Sequence, residues 1–200
     1  MIRSIPLLVL LGLPFAGASA QSYSGLGAKA GIQSATFHSS AIRYNSVIGG
    51  VVGLYLPLNC GPRFEIQPEL LVSAQGAALN FDENGRRELR MYYVTLPLVA
   101  KVYLSNAINF QGGVQGGMLL MAQEEGEDVK DLYRPADAAL VAGLGIDLMS
   151  GWDLTFRYTS GLTTTLVTDD HIYPKNRTIQ VSAGYRFMRF SKGRGRSRRR

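Results

Sequence analysis

Apolar and polar residues alternate with a period of two in eight stretches of this chain, the pattern of strands with two unlike faces; apolar positions on a helix would recur every three to four residues. The alternation is plainest at 64–75, where Phe64, Ile66, Pro68, Leu70, Val72 and Ala74 share one face. Glu65, Gln67, Glu69, Ser73 and Gln75 share the other, with Leu71 alone interrupting the polar row. At 25–37 the row Leu26, Ala28, Ala30 and Ile32 opposes Gly27, Lys29, Gly31 and Gln33, and at 47–58 the apolar row is Ile48, Gly50, Val52, Leu54 and Leu56. The stretch 92–104 sets Val94, Leu96, Leu98, Ala100, Val102 and Leu104 against Thr95, Lys101 and Tyr103. Next, Phe110, Val114, Met118 and Leu120 oppose Gln111 and Gln115, and Ala138, Leu140, Ala142, Leu144, Ile146 and Leu148 oppose Asp137 and Asp147. Trp152, Leu154, Phe156 and Tyr158 then oppose Asp153, Thr155 and Arg157. Last, Ile179, Val181, Ala183, Tyr185 and Phe187 oppose Gln180, Ser182, Gly184 and Arg186. These stretches approach the roughly 9 to 11 residues a tilted strand needs to cross a bilayer.

A soluble sandwich or lipocalin-like barrel also alternates, so the make-up of the two faces decides. The charged phase repeatedly carries glycine, as at Gly27, Gly31, Gly143, Gly145 and Gly184, and small residues beside long charged ones suit a narrow interior. The lumen of an eight-stranded barrel is about wide enough to be filled by side chains. Ion pairs are therefore expected there between Lys29, Lys101, Arg157 and Arg186 and Glu65, Glu69, Asp147 and Asp153. Short turn-forming links (59–63, 105–109, 149–151) alternate with longer polar ones (38–46, 76–91, 122–136, 163–177), as short periplasmic turns and long external loops do in outer-membrane barrels. The fold expected is all-β, an eight-stranded antiparallel up-and-down transmembrane β-barrel. Phe64, Phe110, Trp152 and Phe187 fall where a periplasmic aromatic girdle would lie. Pro68 and Pro97 each remove a ladder donor and are expected to mark bulges or bends.

Residues 1–20 read as a cleaved signal peptide. Arg3 supplies the positive start, 5–15 is apolar but too short to span a bilayer, and Ala18-Ser19-Ala20 fits a peptidase site ahead of Gln21. Residues 21–190 form the barrel domain, and they contain no apolar run of the roughly 18 to 20 residues a membrane helix needs. Cys60, the single cysteine, is read as a turn residue. The net charge of +6 is localised: residues 191–200, SKGRGRSRRR, hold six of the 21 basic residues, which leaves the rest of the chain with as many basic as its 15 acidic residues. With nothing apolar to bury, 191–200 read as a basic disordered tail, periplasmic by strand parity and open to a polyanion such as lipid headgroups or cell-wall polymer. Nucleic-acid binding is not inferred.

Four segments then carry a family likeness: Gly-Ala-Lys-Ala-Gly-Ile at 27–32, Phe-Glu-Ile-Gln-Pro-Glu-Leu at 64–70, Tyr-Val-Thr-Leu-Pro-Leu at 93–98 and Gly-Tyr-Arg-Phe at 184–187. In this layout residues 21 to about 190 resemble the small outer-membrane β-barrel proteins of Gram-negative bacteria, in particular the porin-family or PorT-like barrel domain widespread in the Bacteroidetes. The resemblance implies an outer-membrane location and surrounding lipid and lipopolysaccharide. It also implies that the barrel assembly machinery reads an aromatic-ended last strand, with Phe187 and Phe190 as alternative ends.

Four functional classes fit this reading. The first is a structural or interaction barrel whose filled lumen passes little or nothing; eight inward charges argue against a small-solute porin. The second is an enzyme working at the rim, because closure would bring His38-Ser39-Ser40 towards Asp169-Asp170-His171. No motif surrounds these residues, so no catalytic residue is assigned. His38 and His171 lack a third ligand of telling spacing, and Glu124-Glu125-Gly126-Glu127-Asp128 lacks the order of a calcium loop. No metal-ligating or cofactor-binding residue is assigned either. The third class is a component of envelope secretion or assembly, which the PorT-like resemblance allows, and the fourth a soluble periplasmic binding barrel.

Overall fold

The computed structural model describes residues 24–38, 45–81, 85–124, 126–163 and 175–190. Eight long strands account for most of them: β1 (Gly25–His38), β2 (Asn45–Tyr55), β3 (Phe64–Phe81), β4 (Gly85–Tyr103), β5 (Ile108–Glu124), β6 (Ala136–Asp147), β7 (Trp152–Gly161) and β8 (Lys175–Arg189). Successive strands pair antiparallel, and β1 also pairs with β8 from Gly25↔Arg189 to His38↔Lys175, so the sheet closes on itself. Two-residue strands at Leu58–Asn59 and Glu127–Asp128 extend the ladders of β3 and β5. Closure removes the edges at which an open sheet would recruit a second chain. No helix among the described residues is long and apolar enough to cross a membrane, which leaves crossing by strands open.

The two faces fall as the alternation requires. Ile48, Leu96 and Met118 stand on the outside at 79%, 61% and 62% exposure, with Leu70, Leu98, Leu140 and Phe156 among the same belt. Lys29, Glu65, Glu69, Lys101, Asp153 and Arg157 are buried inside. Leu71, the exception in its polar row, also points inward and is buried. An apolar exterior around a charged interior inverts a soluble barrel, and it suits a surrounding of hydrocarbon rather than water. Phe64, Phe110, Trp152 and Phe187 are all exposed near the short-turn end, and the Trp152 and Tyr185 rings lie 5.1 Å apart.

Several boundaries differ from the sequence reading. The segment 76–91, expected as a loop, is largely a hairpin, with β3 and β4 paired from Gly76↔Arg90 out to Phe81↔Gly85. It overruns its neighbours, because β2 joins β3 only from Asn45↔Ala78 and β5 leaves β4 at Leu89↔Glu124. A ladder standing clear of the bilayer needs no apolar row, so it leaves no period-two signal. The link 122–136 likewise starts as strand, and its 3-10 turn (Lys130–Leu132) folds back on β5 through Val129 N–H to Ala122 O (3.0 Å) and Leu119 N–H to Pro135 O (2.8 Å).

Pro68 and Pro97 mark no bulge. The β3–β4 ladder lapses between Pro68↔Leu98 and Leu71↔Thr95 and resumes in the same register, with both prolines at the lapse. Bulges occur elsewhere. One sets Tyr92↔Met121 beside Tyr93↔Leu119, so Leu120 and Met121 both face out while Leu119 and Ala122 turn in. A second inserts Phe187 between Leu26↔Met188 and Gly27↔Arg186, and a third irregularity shifts the β2–β3 register between Ser46↔Ala77 and Val51↔Ser73. β8 then continues past Phe187, and the Phe190 N–H donates to Ser24 O at 2.6 Å. Residues 1–20 and 191–200, expected as signal peptide and tail, lie outside the described residues.

Candidate functional site: the lumen and the two ends of the barrel

The lumen is layered. Nearest the short turns lies the ionic layer, organised around Glu69 of β3. Arg157 of β7 reaches across the barrel and donates Nη1 and Nη2 to both Glu69 oxygens at 2.7 Å, and Lys29 of β1 donates to the same carboxylate at 2.8 Å. Arg157 Nε donates to Gln111 Oε1 (2.9 Å), Gln111 Nε2 to Asn109 Oδ1 (3.0 Å), and Asn109 Nδ2 to Asp147 Oδ1 (3.1 Å). Lys101 Nζ lies 3.0 Å from Asp147 and 3.7 Å from Glu65, and Arg186 lies 3.5 Å from Glu65 and 4.0 Å from Asp147. Tyr103 adds its hydroxyl to Asp147 at 2.6 Å. A buried charge persists only when paired and further hydrogen-bonded, and this chain of contacts meets that condition across seven strands.

Seven of the eight lumen charges named from the sequence thus meet in ion pairs. Asp153 is held differently, accepting the hydroxyl of Tyr55, whose ring lies under the Lys29 ammonium at 4.8 Å from ring centre to Nζ. Tyr55 and Asn109 are members the sequence reading passed over, and Gln67, read only as part of the inward polar row, donates to Glu69. Their signal was weak: an inward polar residue is legible, but its partner on the far wall is not. Space for these groups comes from glycine. A side chain at Gly184 would run into the Asp153 carboxylate, and one at Gly27 into the Tyr55 ring.

Above the ionic layer is an uncharged one. Gln33, Gln75, Thr95, Gln115, Thr178 and Gln180 are among the residues lining a cavity of about 10 Å³. That is room for about one water molecule. Towards the long-loop end the lumen holds an apolar cluster of Phe37, Leu89, Met91, Tyr93, Leu119 and Ala122, against which Val129 and Tyr133 of the folded-back link pack. At that rim Asp137 accepts from Thr163 Oγ1 and from Asn176 Nδ2 (3.2 Å).

Charge outside the lumen is unevenly shared. The short-turn connections 56–63, 104–107 and 148–151 contain no Asp or Glu, and Arg63 and Arg189 are exposed at that end. Of the 15 acidic residues, the eleven outside the ionic layer all belong to the strand ends and links of the long-loop half, together with eight basic residues.

Ser39, Ser40, Asp169, Asp170 and His171 lie outside the described residues, as does the His38 side chain. β1 and β8, the strands nearest them in the chain, are neighbours as expected. Among the described residues no three His, Cys, Asp or Glu groups stand together to hold a metal ion.

Comparison with known proteins agrees with this geometry. The family described as Outer membrane protein beta-barrel domain matches residues 17–167. The fold is similar to Neisserial surface protein A, at 10% identity and a TM-score of 0.60, covering 84% of this chain and 100% of that one. It is also similar to Ail, the attachment invasion locus protein of Yersinia pestis, in complex with the heparin analogue sucrose octasulfate. The identity there is 13% and the TM-score 0.51, covering 82% of this chain and 99% of that one. The search of curated protein sequences gives no match.

Proposed function

Because the chain belongs to the outer membrane protein beta-barrel domain family, and so is an outer-membrane β-barrel, we propose that it works through its surfaces, as a structural and interaction barrel rather than as a conduit or an enzyme. The observation that carries this reading is the closed lumen: Arg157 and Glu69 bridge it from wall to wall, and the Phe37–Tyr93–Leu119 cluster caps it. A small-solute porin needs a continuous polar path, and these two layers interrupt one. What remains is the long-loop end, where the β3–β4 hairpin stands beyond the neighbouring strands and the β5–β6 link packs against it.

By the usual rule of short periplasmic turns, the long-loop end faces outside the cell. Ail is described with a heparin analogue, a polyanion, but here eleven acidic residues outnumber eight basic ones at that end. The balance favours partners that are neutral, cationic or bridged by cations, lipopolysaccharide included, over a sulfated polymer. A role in envelope secretion or assembly of the PorT-like kind would use the same surface, and the sequences at 64–70 and 93–98 are its support.

Orientation tests the reading. An epitope tag placed between Asn84 and Gly85 should bind antibody on intact cells, and one in the turn at 105–107 should bind only after the envelope is opened. The reverse pattern would remove the hairpin as an outward working surface.

A further inference from the structure

We propose that the ionic layer contains a binding site for one internal water molecule, which joins Lys29 to Asp153. Hydrogen-bonding capacity is left over here on both sides. Lys29 Nζ carries three protons and, among the described residues, gives one, to Glu69 Oε1 at 2.8 Å. Asp153 Oδ1, Gln67 Oε1 and Thr155 Oγ1 are buried without a hydrogen-bond partner, in residues at most 4% exposed. Asp153 is also the one carboxylate of the layer that no described Lys or Arg pairs with directly. A buried charge and buried acceptors left in that condition are costly, and native interiors bond them to something.

The contacts bring these atoms to one place. Gln67 Nε2 and Arg157 Nη2 donate to the same Glu69 oxygen as Lys29, which sets the Gln67 amide beside the Lys29 ammonium. Tyr55 fixes the other side: its ring centre lies 4.8 Å from Lys29 Nζ, and its hydroxyl donates to Asp153 Oδ2. β3 and β7 both start from a short turn and run in the same direction, so Gln67 and Thr155 come from facing walls just below the Glu69–Arg157 bridge. Lys29 and Asp153 thus flank one ring without pairing, a separation that water bridges. A water there accepts from Lys29 and from the Thr155 hydroxyl and donates to Asp153 Oδ1 and Gln67 Oε1, the set of partners that holds a buried water. Glu65 Oε1, the remaining unpartnered oxygen, faces Lys101 Nζ at 3.7 Å and lies outside the site. A metal cation is the poorer occupant. It would sit against the Lys29 ammonium and add charge to a layer whose four basic and four acidic side chains already balance.

The test is a crystal structure of the full chain at a resolution that shows ordered water, with a second data set from crystals soaked in a rubidium salt. The expected result is a single peak at about 2.7–3.2 Å from both Lys29 Nζ and Asp153 Oδ1, with Gln67 Oε1 or Thr155 Oγ1 as a further partner and no anomalous scattering from rubidium. An anomalous peak, or contacts much shorter than those of water, would make this a cation site and overturn the proposal. The absence of any peak between Lys29 and Asp153, whether the two side chains meet directly or stay apart, would overturn it as well.

Discussion

The single side chain on which most depends is Glu69, because two cations, Lys29 of β1 and Arg157 of the opposite wall, share its carboxylate. Glu69→Gln leaves both Lys29 and Arg157 without their charge partner in the interior, and breaking a buried pair of this kind costs about 3–5 kcal/mol. Asp153→Asn keeps an acceptor for the Tyr55 hydroxyl and should cost nearer about 1 kcal/mol. Urea unfolding in lipid vesicles ranks the two, and equal losses would mean the ionic layer is not what holds the lumen. Glycine positions offer a second comparison. Gly184→Leu drives a side chain into the Asp153 carboxylate, whereas a Cβ at Gly112 meets nothing within 4 Å. The first substitution should sharply reduce the yield of folded, heat-modifiable protein and the second should leave it nearly intact. The charged members of this network were legible from alternation alone, since a Lys or Glu in an inward phase has to be paired. Tyr55 was not, because its contact with Asp153 spans 98 residues and exists only once β2 and β7 face each other across a closed barrel.

Strands that cross hydrocarbon and strands that stand above it differ in what their sequences disclose. In β3 and β4 the outward row is apolar only over the crossing part, and there Leu70→Arg or Leu98→Arg should cost about 2–4 kcal/mol. Inward positions are less uniform than alternation suggests. Gln67 is fully buried and bonded to Glu69, so Arg has no room there, while Thr95 borders the small cavity and should tolerate Arg better. Refolding titrations of the four variants would show two lipid-face losses, one comparable lumen loss at Gln67 and a smaller one at Thr95. Beyond the apolar rows the pairing of Leu79↔Arg87 and Asn80↔Arg86 rests on backbone hydrogen bonds, which no side-chain period reports. Hydrogen exchange should find these hairpin amides protected relative to the link at 82–84, and uniform fast exchange from 76 to 91 would restore the loop expected from the sequence. The prolines were hard to read for a related reason: a lost donor can be absorbed by a lapse in one ladder without any change of register.

At the scale of the whole molecule the chain sorts its chemistry along the barrel axis. A basic, carboxylate-free rim lies at the short turns, a neutralised ionic layer and an amide layer inside, and an apolar seal beneath a net acidic long-loop end. Strand number, order of turns and the inverted faces were all present in the linear pattern, while the seal was hidden, because Phe37, Leu89, Met91 and Leu119 put apolar side chains in the inward phase and the bulge after Leu119 adds Ala122 to them. If these layers close the pore, single-channel recording of the purified full chain in planar lipid bilayers should show no steady conductance steps; a steady, large conductance would mean that the lumen is open.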